Sequence, residues 1–456
     1  MVNIICKSLV IVSFVPMIID ADHSTDTRVQ PTSRSHTDYQ TLRVNGERMR
    51  ADFEALAMIG ETPDGGIDRV ALSNGDLQAR LWLADRIEEI GLRLRDDDAA
   101  NLGGVYSGEQ PDAQTLLVGS HLDSVPDGGR YDGAVGIVAA LECIRILAEN
   151  DIRLPVNLEL IDFTDDEGTW HSLFGARAFA GMLPPEVTSE LRTDNASFRA
   201  ALGRVGLSLR DVPNARRDPA AIAGYVELHI EHGTRLETAD THIGVVTGIV
   251  GRTTYEVVFL GQAGHSGTTD MYKRRDALRG AAQFIVRAHD MVRARYGDGI
   301  FNCGNIQVEP GKYNVIPSKA RLLVECRHVS ETLMGEMELA MIQIARECAA
   351  AHGLTVDVEA KIHMPAATMA AGFVEAIESS CEALGLSHMR LASYAGHAAQ
   401  ALSQIVPCGM IFIPSTGGIG HSPAEFTPWA DIIEGANALL QTILRLAYTN
   451  NLQDEE

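Results

Sequence analysis

From Leu42 onward, short apolar runs alternate with stretches in which apolar residues return every three or four positions. Leu116–Val118 and Val156–Phe163 predict strands, and Val135–Leu147 predicts a helix. A second helix is predicted over Leu77–Ile90, where Leu77, Leu81, Ala84, Ile87 and Ile90 recur about every 3.6 residues. Strands alternating with helices imply an α/β layer built on a largely parallel sheet.

The middle of the chain changes character. Thr253–Leu260 predicts a strand, and Asp276–Val292 a helix with Leu278, Ala281, Ile285, Ala288 and Val292 on one face. Two strands follow, Asn305–Val308 and Arg321–Cys326, then a helix striped by Leu333, Met337, Met341, Ile344 and Cys348, then a strand over Leu354–Ala360. The order β-α-β-β-α-β is that of a small ferredoxin-like α+β unit. From Met369 the first pattern returns and ends in an apolar helix over Asp431–Ala447. The expected organisation is an N-terminal extension at 1–40, a large domain formed by 41–247 and 363–450, and a smaller domain inserted at 248–362.

Polar residues concentrate where the apolar runs end. Gly119–Gly133 follows Thr115–Val118 and threads one His and three Asp among Gly and Pro, the look of a metal site at the end of a buried strand. His121 and Asp132 are candidate ligands, with Asp123 an orienting carboxylate for the histidine. A polar turn is the plain alternative. Asp162–Gly168 follows Val156–Ile161, and its adjacent carboxylates repel unless a cation sits there or one is protonated. In Glu227–Gly233, strand alternation puts Glu227, His229 and Glu231 on one face, with Leu228, Ile230 and His232 on the other. Gly261–Thr269 is a small-residue loop presenting His265. Gly417–Glu425 follows Met410–Ile413 and exposes His421, with Glu425 one helical turn later.

Together these segments supply His121, Asp132, Glu167, His229 and His421, a nitrogen and oxygen ligand set without sulfur. A shared Asp plus two or three further ligands per ion is how a two-metal hydrolytic centre is assembled. Zn²⁺ or Mn²⁺ suits that set, and Co²⁺ and Ni²⁺ also fit. Two such ions about 3.5–4 Å apart lower the pKa of a shared water and polarise a carbonyl oxygen. Asp166, beside Glu167, is placed to take the proton from that water and deliver it to a leaving nitrogen.

Composition narrows the partners. The 456 residues carry a formal net charge of −23, so no surplus of Lys and Arg is available for nucleic acid or an anionic membrane. An anionic substrate must be met by local cations. The seven cysteines are scattered without a C-x-x-C pair, which argues against a zinc-thiolate site or a disulfide framework and for reduced thiols in the cytoplasm. Ser8–Ile19 is an apolar run resembling a signal-peptide core, too short to span a bilayer and without a small-x-small cleavage pattern. Export is therefore the alternative to a cytoplasmic location.

In combination these motifs resemble the metal-dependent amidohydrolases of the hydantoinase/carbamoylase family, which comprises N-carbamoyl-L-amino acid hydrolases, allantoate amidohydrolases and β-ureidopropionases. The resemblance runs from about Leu42 to Leu446, and the wider group is that of di-metal aminoacylases and carboxypeptidases. The family's H-x-D-(T/S)-V-x-x-G-G-x-x-D-G spans His121 to Gly133, and its E-E-G appears as Asp166-Glu167-Gly168. E-L-H-I-E-Q-G appears as Glu227 to Gly233, N-H-A-G-T-T-P-M as Gly264 to Met271, and N-V-I-P is intact at Asn314 to Pro317. G-A-G-H-D-A becomes Tyr394 to Ala399, and S-H-S-P-x-E becomes Gly420 to Glu425.

The resemblance implies a di-metal, peptidase-like catalytic domain whose insertion serves as lid and dimerisation domain. It implies that His121 and His229 bind opposite metals, that Asp132 bridges them, and that Glu167 and His421 complete the site. Asp166 takes the general-base place. His232 stands where the family's Gln contacts substrate, and Gly396 and His397 match further substrate contacts. Asn314 and Arg327 correspond to a clamp on the substrate carboxylate, an apt use of a bidentate Arg. His265 would polarise the scissile group, reaching the partner subunit's site in a homodimer.

His229, where peptidases and aminoacylases generally place an acid, favours carbamoyl or ureido C–N hydrolysis with release of ammonia and CO2. An aminoacylase- or dipeptidase-like hydrolase on the same centre is the alternative, and a catalytically silent metal-binding protein a further one. Several positions depart from the family pattern. Asp166 is one methylene shorter than the usual Glu, and Thr169-Trp170-His171 replaces the segment that carries an Arg. His232 replaces Gln, Asp270 replaces Pro, and Ala398 replaces Asp. The ligands are kept while substrate-facing positions vary, which predicts an active enzyme with shifted specificity.

Overall fold

The computed structural model describes residues 36–110 and 112–449. The apolar run at Ser8–Ile19 lies outside the described residues, as does most of the extension. Among the described residues no helix is long and apolar enough to cross a membrane.

A nine-stranded sheet organises the larger part of the chain. Its centre is four adjacent parallel strands in the order Asn157–Asp162, Thr115–Ser120, Ile222–Ile230 and Cys408–Ile413. On one flank Leu102–Tyr106 and Arg93–Asp96 continue the sheet antiparallel. On the other, Ile243–Ile249 pairs antiparallel with Cys408–Ile413 and parallel with His388–Ser393. The central strands are buried throughout except at half-buried Thr115, as expected of parallel strands covered on both faces. The helix Ala134–Glu149 packs on the sheet, and both Gly46–Ala57 and Trp429–Thr449 pack on that helix. Each Leu or Ile buried in this layer contributes about 1.5–3 kcal/mol.

Two helices differ from the sequence reading. Gly46–Ala57 is not marked by it, although Met49, Phe53, Leu56 and Ala57 form its buried stripe and Asn45 caps it by accepting from Arg48 N–H. The second predicted helix spans Asn74–Glu89, but it turns a different face inward: Asp76, Ala79, Arg80, Leu83 and Ile87 are buried. Leu81, placed on the inner stripe, is 45% exposed. A buried charge network explains the rotation. Arg80 pairs with Asp76 at 3.1 Å and Asp162 at 3.3 Å and donates to Thr164 Oγ1 at 3.0 Å. The other oxygen of Asp162 accepts the Leu122 N–H at 2.9 Å. The helix is thus tied to two strand ends by polar groups that apolar periodicity does not register.

A second sheet holds four antiparallel strands in the order Thr355–Met364, Gly251–Leu260, Lys319–His328 and Ile300–Glu309. The helices Ala277–Arg295 and Glu331–Ala351 lie along it, sharing a separate core that includes Val257, Phe259, Phe284, Leu322, Met337 and Met341. The elements follow the order expected from sequence. The strand predicted over Asn305–Val308 spans Ile300–Glu309, with most of its residues exposed.

Candidate metal centre

The candidate ligands come from the carboxyl ends of the four central parallel strands. His121 follows Thr115–Ser120, Asp166 and Glu167 follow Asn157–Asp162, His229 is the penultimate residue of Ile222–Ile230, and His421 lies on the loop beyond Cys408–Ile413. Successive connections run to opposite sides of the Thr115–Ser120 and Ile222–Ile230 pair, and such a reversal opens a crevice above the strand ends. Gly133, with φ 63°, starts the helix Ala134–Glu149 and carries Asp132 into this crevice. A Cβ at Gly133 would lie 2.5 Å from the His121 ring, so only glycine lets the two approach.

Asp132 is the hub. Its Oδ1 lies 3.2 Å from His229 Nε2, 3.2 Å from His232 Nε2 and 3.7 Å from His121 Nε2. Its Oδ2 lies 3.3 Å from His421 Nε2, which is also 3.3 Å from Glu167 Oε2. Two groups with ligand atoms mutually within 4.8 Å therefore share Asp132: His121, Asp132 and His229, and Asp132, His232 and His421. The resemblance implies opposite metals for His121 and His229; in the structure the two lie in one trio with Asp132, while Glu167 faces His421.

Asp123 works differently from the expectation. The His121 Nδ1 contact goes to the Asp123 backbone carbonyl at 2.9 Å, and the carboxylate is 3.6 Å away. The carboxylate instead accepts the N–H groups of Asp166 and Glu167, both at 3.2 Å. One residue thus orients the histidine through its backbone and the acidic loop through its side chain.

His232 also departs from the alternation argument. The strand ends at Ile230, and His232 adopts φ 56°, which swings its ring to the Asp132 side. A Cβ at Gly420 would fall 2.0 Å from His232 Nδ1, so that glycine makes room for the ring. Glu231 lies apart from the trios, its carboxylate capping the N–H groups of Arg235 and Leu236 at 2.9 Å each. Glu227 is fully buried, accepting from Ser120 Oγ at 3.0 Å and from Ala399 N–H at 3.1 Å. His397 is buried beside His229, ring centroids 4.5 Å apart, and its Nε2 contacts Ser393 Oγ at 2.9 Å.

Glu425 does more than its sequence position reveals. It sits in a turn rather than a helix. Its Oε1 accepts the N–H groups of Tyr131 and Asp132 at 2.9 and 3.0 Å, and its Oε2 accepts His421 N–H at 3.2 Å. One carboxylate thereby fixes the backbone of the hub and of a candidate ligand. Glu425→Ala is expected to weaken metal binding by about 10- to 100-fold, the usual effect of losing a partner that orients ligands. Glu425→Gln keeps only part of this acceptor geometry and falls between. Metal titration of the two variants checks it.

The electrostatics test whether these residues suit a cation. Burial, then the neighbouring Glu227, Asp123 and Asp132, pushes Asp166 well above the usual carboxylate range. Burial, Asp132 and Asp123 do the same to Glu167. Burial also acts on Asp132, but His232, His229 and His421 outweigh it and hold its carboxyl well below that range. Burial lowers His121 to about 4, leaving the neutral imidazole a metal requires. Asp132 outweighs burial at His229 and raises it to about 9. Although those two residues approach within 3.2 Å, their atoms are not aligned as a hydrogen bond: His229 Nε2, Asp132 Oδ2 and Asp166 Oδ1 are all buried without a hydrogen-bond partner. Crowded acids, unpaired inward-facing donor atoms and an all-nitrogen-and-oxygen set fit divalent cations.

The trios open into a cavity of about 150 Å³ lined also by Asp166, Glu167, Arg327, Gly396 and His397. A larger cavity of about 520 Å³, lined by residues such as Asp98 and Arg217, holds none of the predicted site residues. Two predicted residues are not brought to the site. His265 and Asn314 are exposed and lie together on a small ribbon, where Val315 pairs with His265 and Ser266 N–H donates to the Asn314 carbonyl at 3.1 Å. Arg252 and Ser172, which the sequence reading does not single out, do line the cavity. The six cysteines among the described residues are free thiols, five of them buried.

The model of Peptidase family M20/M25/M40 matches residues 117–445. The N-carbamoyl-L-amino acid amidohydrolase of Geobacillus stearothermophilus is 34% identical over 89% of this chain and 99% of its own length. The allantoate amidohydrolase of Bacillus subtilis is 30% identical over 87% of this chain and 96% of its own. The crystal structure of a hydantoinase/carbamoylase family amidase from Burkholderia multivorans superposes with a TM-score of 0.80 at 32% identity, covering 89% of this chain and 99% of that one. The chain therefore belongs to the metal-dependent M20/M25/M40 peptidase family, in its hydantoinase/carbamoylase amidase branch, and is a hydrolase of non-peptide C–N bonds.

Proposed function

We propose that this amidohydrolase cleaves the linear C–N bond of an N-carbamoyl-L-amino acid or a related, allantoate-like ureido acid, with one water consumed and ammonia, CO2 and the amine released. The observation that carries the reading is the pair of histidine-containing trios sharing Asp132 at the floor of a cavity that also holds Asp166 and Arg327. His121, Asp132 and His229 would hold one divalent ion; Asp132 and His421 of the second trio, with Glu167, 3.3 Å from His421, in place of His232, would hold another, Zn²⁺ or Mn²⁺ by donor type. Bound there, the ions supply Lewis acidity that activates a water and polarises the carbamoyl carbonyl.

The chain's own groups do the rest. Asp166 takes the proton of the attacking water and passes it to the leaving nitrogen. The Asp123 carboxylate holds the backbone of Asp166 and Glu167 while this happens. His232, Gly396 and His397 contact the substrate, and Arg327 meets its carboxylate.

His265 and Asn314 act from a second copy of the chain. What supports this is their exposure on one ribbon, away from the cavity of their own chain. The region 248–362 then forms a ferredoxin-like lid and dimerisation domain, and the strand order is the one that fold uses. Sedimentation of the full chain is expected to give a dimer, and a monomer at micromolar concentration contradicts this arrangement.

The function is tested with a panel of N-carbamoyl-amino acids, allantoate, N-acyl-amino acids and dipeptides on metal-loaded protein. Ammonia release from ureido acids is expected. Release of amino acids from acyl or dipeptide substrates, without ammonia from ureido acids, identifies an aminoacylase-like enzyme instead.

A further inference from the structure

The cavity contains a cation that the proposed chemistry does not use. Arg252 is the second residue of the strand Gly251–Leu260 and stands directly across from Arg327 in the antiparallel register. Both side chains lie on the sheet face away from the helices, and both line the metal-site cavity. Like charges directly opposite one another destabilise a sheet.

The two are compensated very differently. Arg327 Nε donates to Glu325 Oε1 at 2.7 Å and its Nη2 to Glu325 Oε2 at 3.2 Å, while Nη1 donates to the Tyr394 carbonyl. Arg252 donates to Ser172 Oγ at 3.2 Å, and among the described residues no carboxylate lies within ion-pair distance of it. Burial, then Arg327, pulls its pKa below the ordinary arginine value. Arg177, on the helix Phe174–Ala180, has its own pKa lowered by burial and then by Arg252, which adds a third cation to the cluster. Of these three arginines, only Arg327 has a carboxylate at ion-pair distance among the described residues.

We infer that Arg252 is a specificity-determining residue that receives a second anionic group of the substrate, so that the preferred substrates are ureido dicarboxylates rather than ureido acids with neutral side chains. The inference rests on the function proposed above and narrows it. Arg327 holds the carboxylate next to the scissile nitrogen, and Arg252, with Ser172 beside it, holds a carboxylate on the substrate side chain. A planar guanidinium pairs with a carboxylate through two parallel N–H groups, and its burial strengthens the pair.

Isosteric acid and amide substrates isolate the charge. For the metal-loaded full chain, kcat/KM is measured for N-carbamoyl-L-aspartate against N-carbamoyl-L-asparagine, and for N-carbamoyl-L-glutamate against N-carbamoyl-L-glutamine. The acid is expected to be preferred in at least one pair. In Arg252→Met the acid-to-amide ratio of that pair falls on the order of 10²-fold, and Arg252→Lys restores part of it. A wild-type preference for the amide in both pairs, or a ratio that Arg252→Met leaves unmoved, overturns the inference while the amidohydrolase reading stands. Absence of ammonia from all four compounds and from every other ureido acid instead defeats that reading. The anion site is then read by calorimetry with the same compounds. Weaker acid binding in Arg252→Met supports it, and equal binding of acid and amide by the wild-type chain overturns it.

Discussion

Asp132→Ala is expected to strip the chain of bound metal and to lower kcat/KM by on the order of 10³-fold or more. Even partners outside the coordination sphere are worth about 10- to 100-fold in affinity or activity. Asp132 is more than such a partner, because both trios pass through its carboxylate. Four imidazoles lie within 3.7 Å of its two oxygens. Removing it leaves His121, His229 and His232 without the carboxylate they converge on and His421 with Glu167 alone, so cation affinity falls. Loss of either His121 or His421 should be milder in metal content, since each contributes to one trio only. Metal analysis after dialysis, alongside turnover, separates the cases. Retention of both metals in Asp132→Ala contradicts the bridging role.

Asp166→Asn is expected to lower kcat by about 10²- to 10⁴-fold, the range in which a positioned general base acts, and to leave metal content unchanged. The separation follows from position. Asp166 lines the cavity, yet it belongs to neither trio. Its backbone is held by Asp123 whichever side chain it carries, so the amide variant leaves the acidic loop in place. The variant keeps the size of the side chain and loses only the ability to take a proton. A fall in metal content parallel to the fall in kcat would move Asp166 from base to ligand, and full activity would remove it from the mechanism. Asp166→Glu reads the effect of the shorter acid, and its rate relative to wild type shows whether the missing methylene limits proton transfer.

The candidate ligands were legible in the sequence because they fall in polar segments at or after the ends of short apolar runs, and buried parallel strands end in loops that share one edge of the sheet. That edge is local information. The partners that hold the ligands are not. Glu425 follows His421 by four residues, but its second task, accepting from Tyr131 and Asp132, joins segments almost 300 positions apart. Arg252 stands near the start of a strand and has no local signature of its own; it becomes notable only when the register sets it against Arg327.

Alternation failed at His232 because a left-handed residue follows the strand end, and periodicity carries no sign of a backbone reversal. Helical periodicity in turn misplaced the inner face of Asn74–Glu89, where the Asp76–Arg80–Asp162 network decided which face is buried. The grouping of His121 with His229 has the same origin. Which histidines lie together depends on the adjacency of Thr115–Ser120 and Ile222–Ile230 in the sheet, and the spacing along the chain does not encode it.

The most direct test of the two-ion account is ammonia release from an N-carbamoyl-L-amino acid, measured while metal is restored to chelator-treated protein and counted per chain. The account predicts no turnover in the stripped protein, with full activity regained as occupancy reaches two divalent ions per chain. Ammonia released by the metal-free chain, or full activity with a single ion bound, would contradict it.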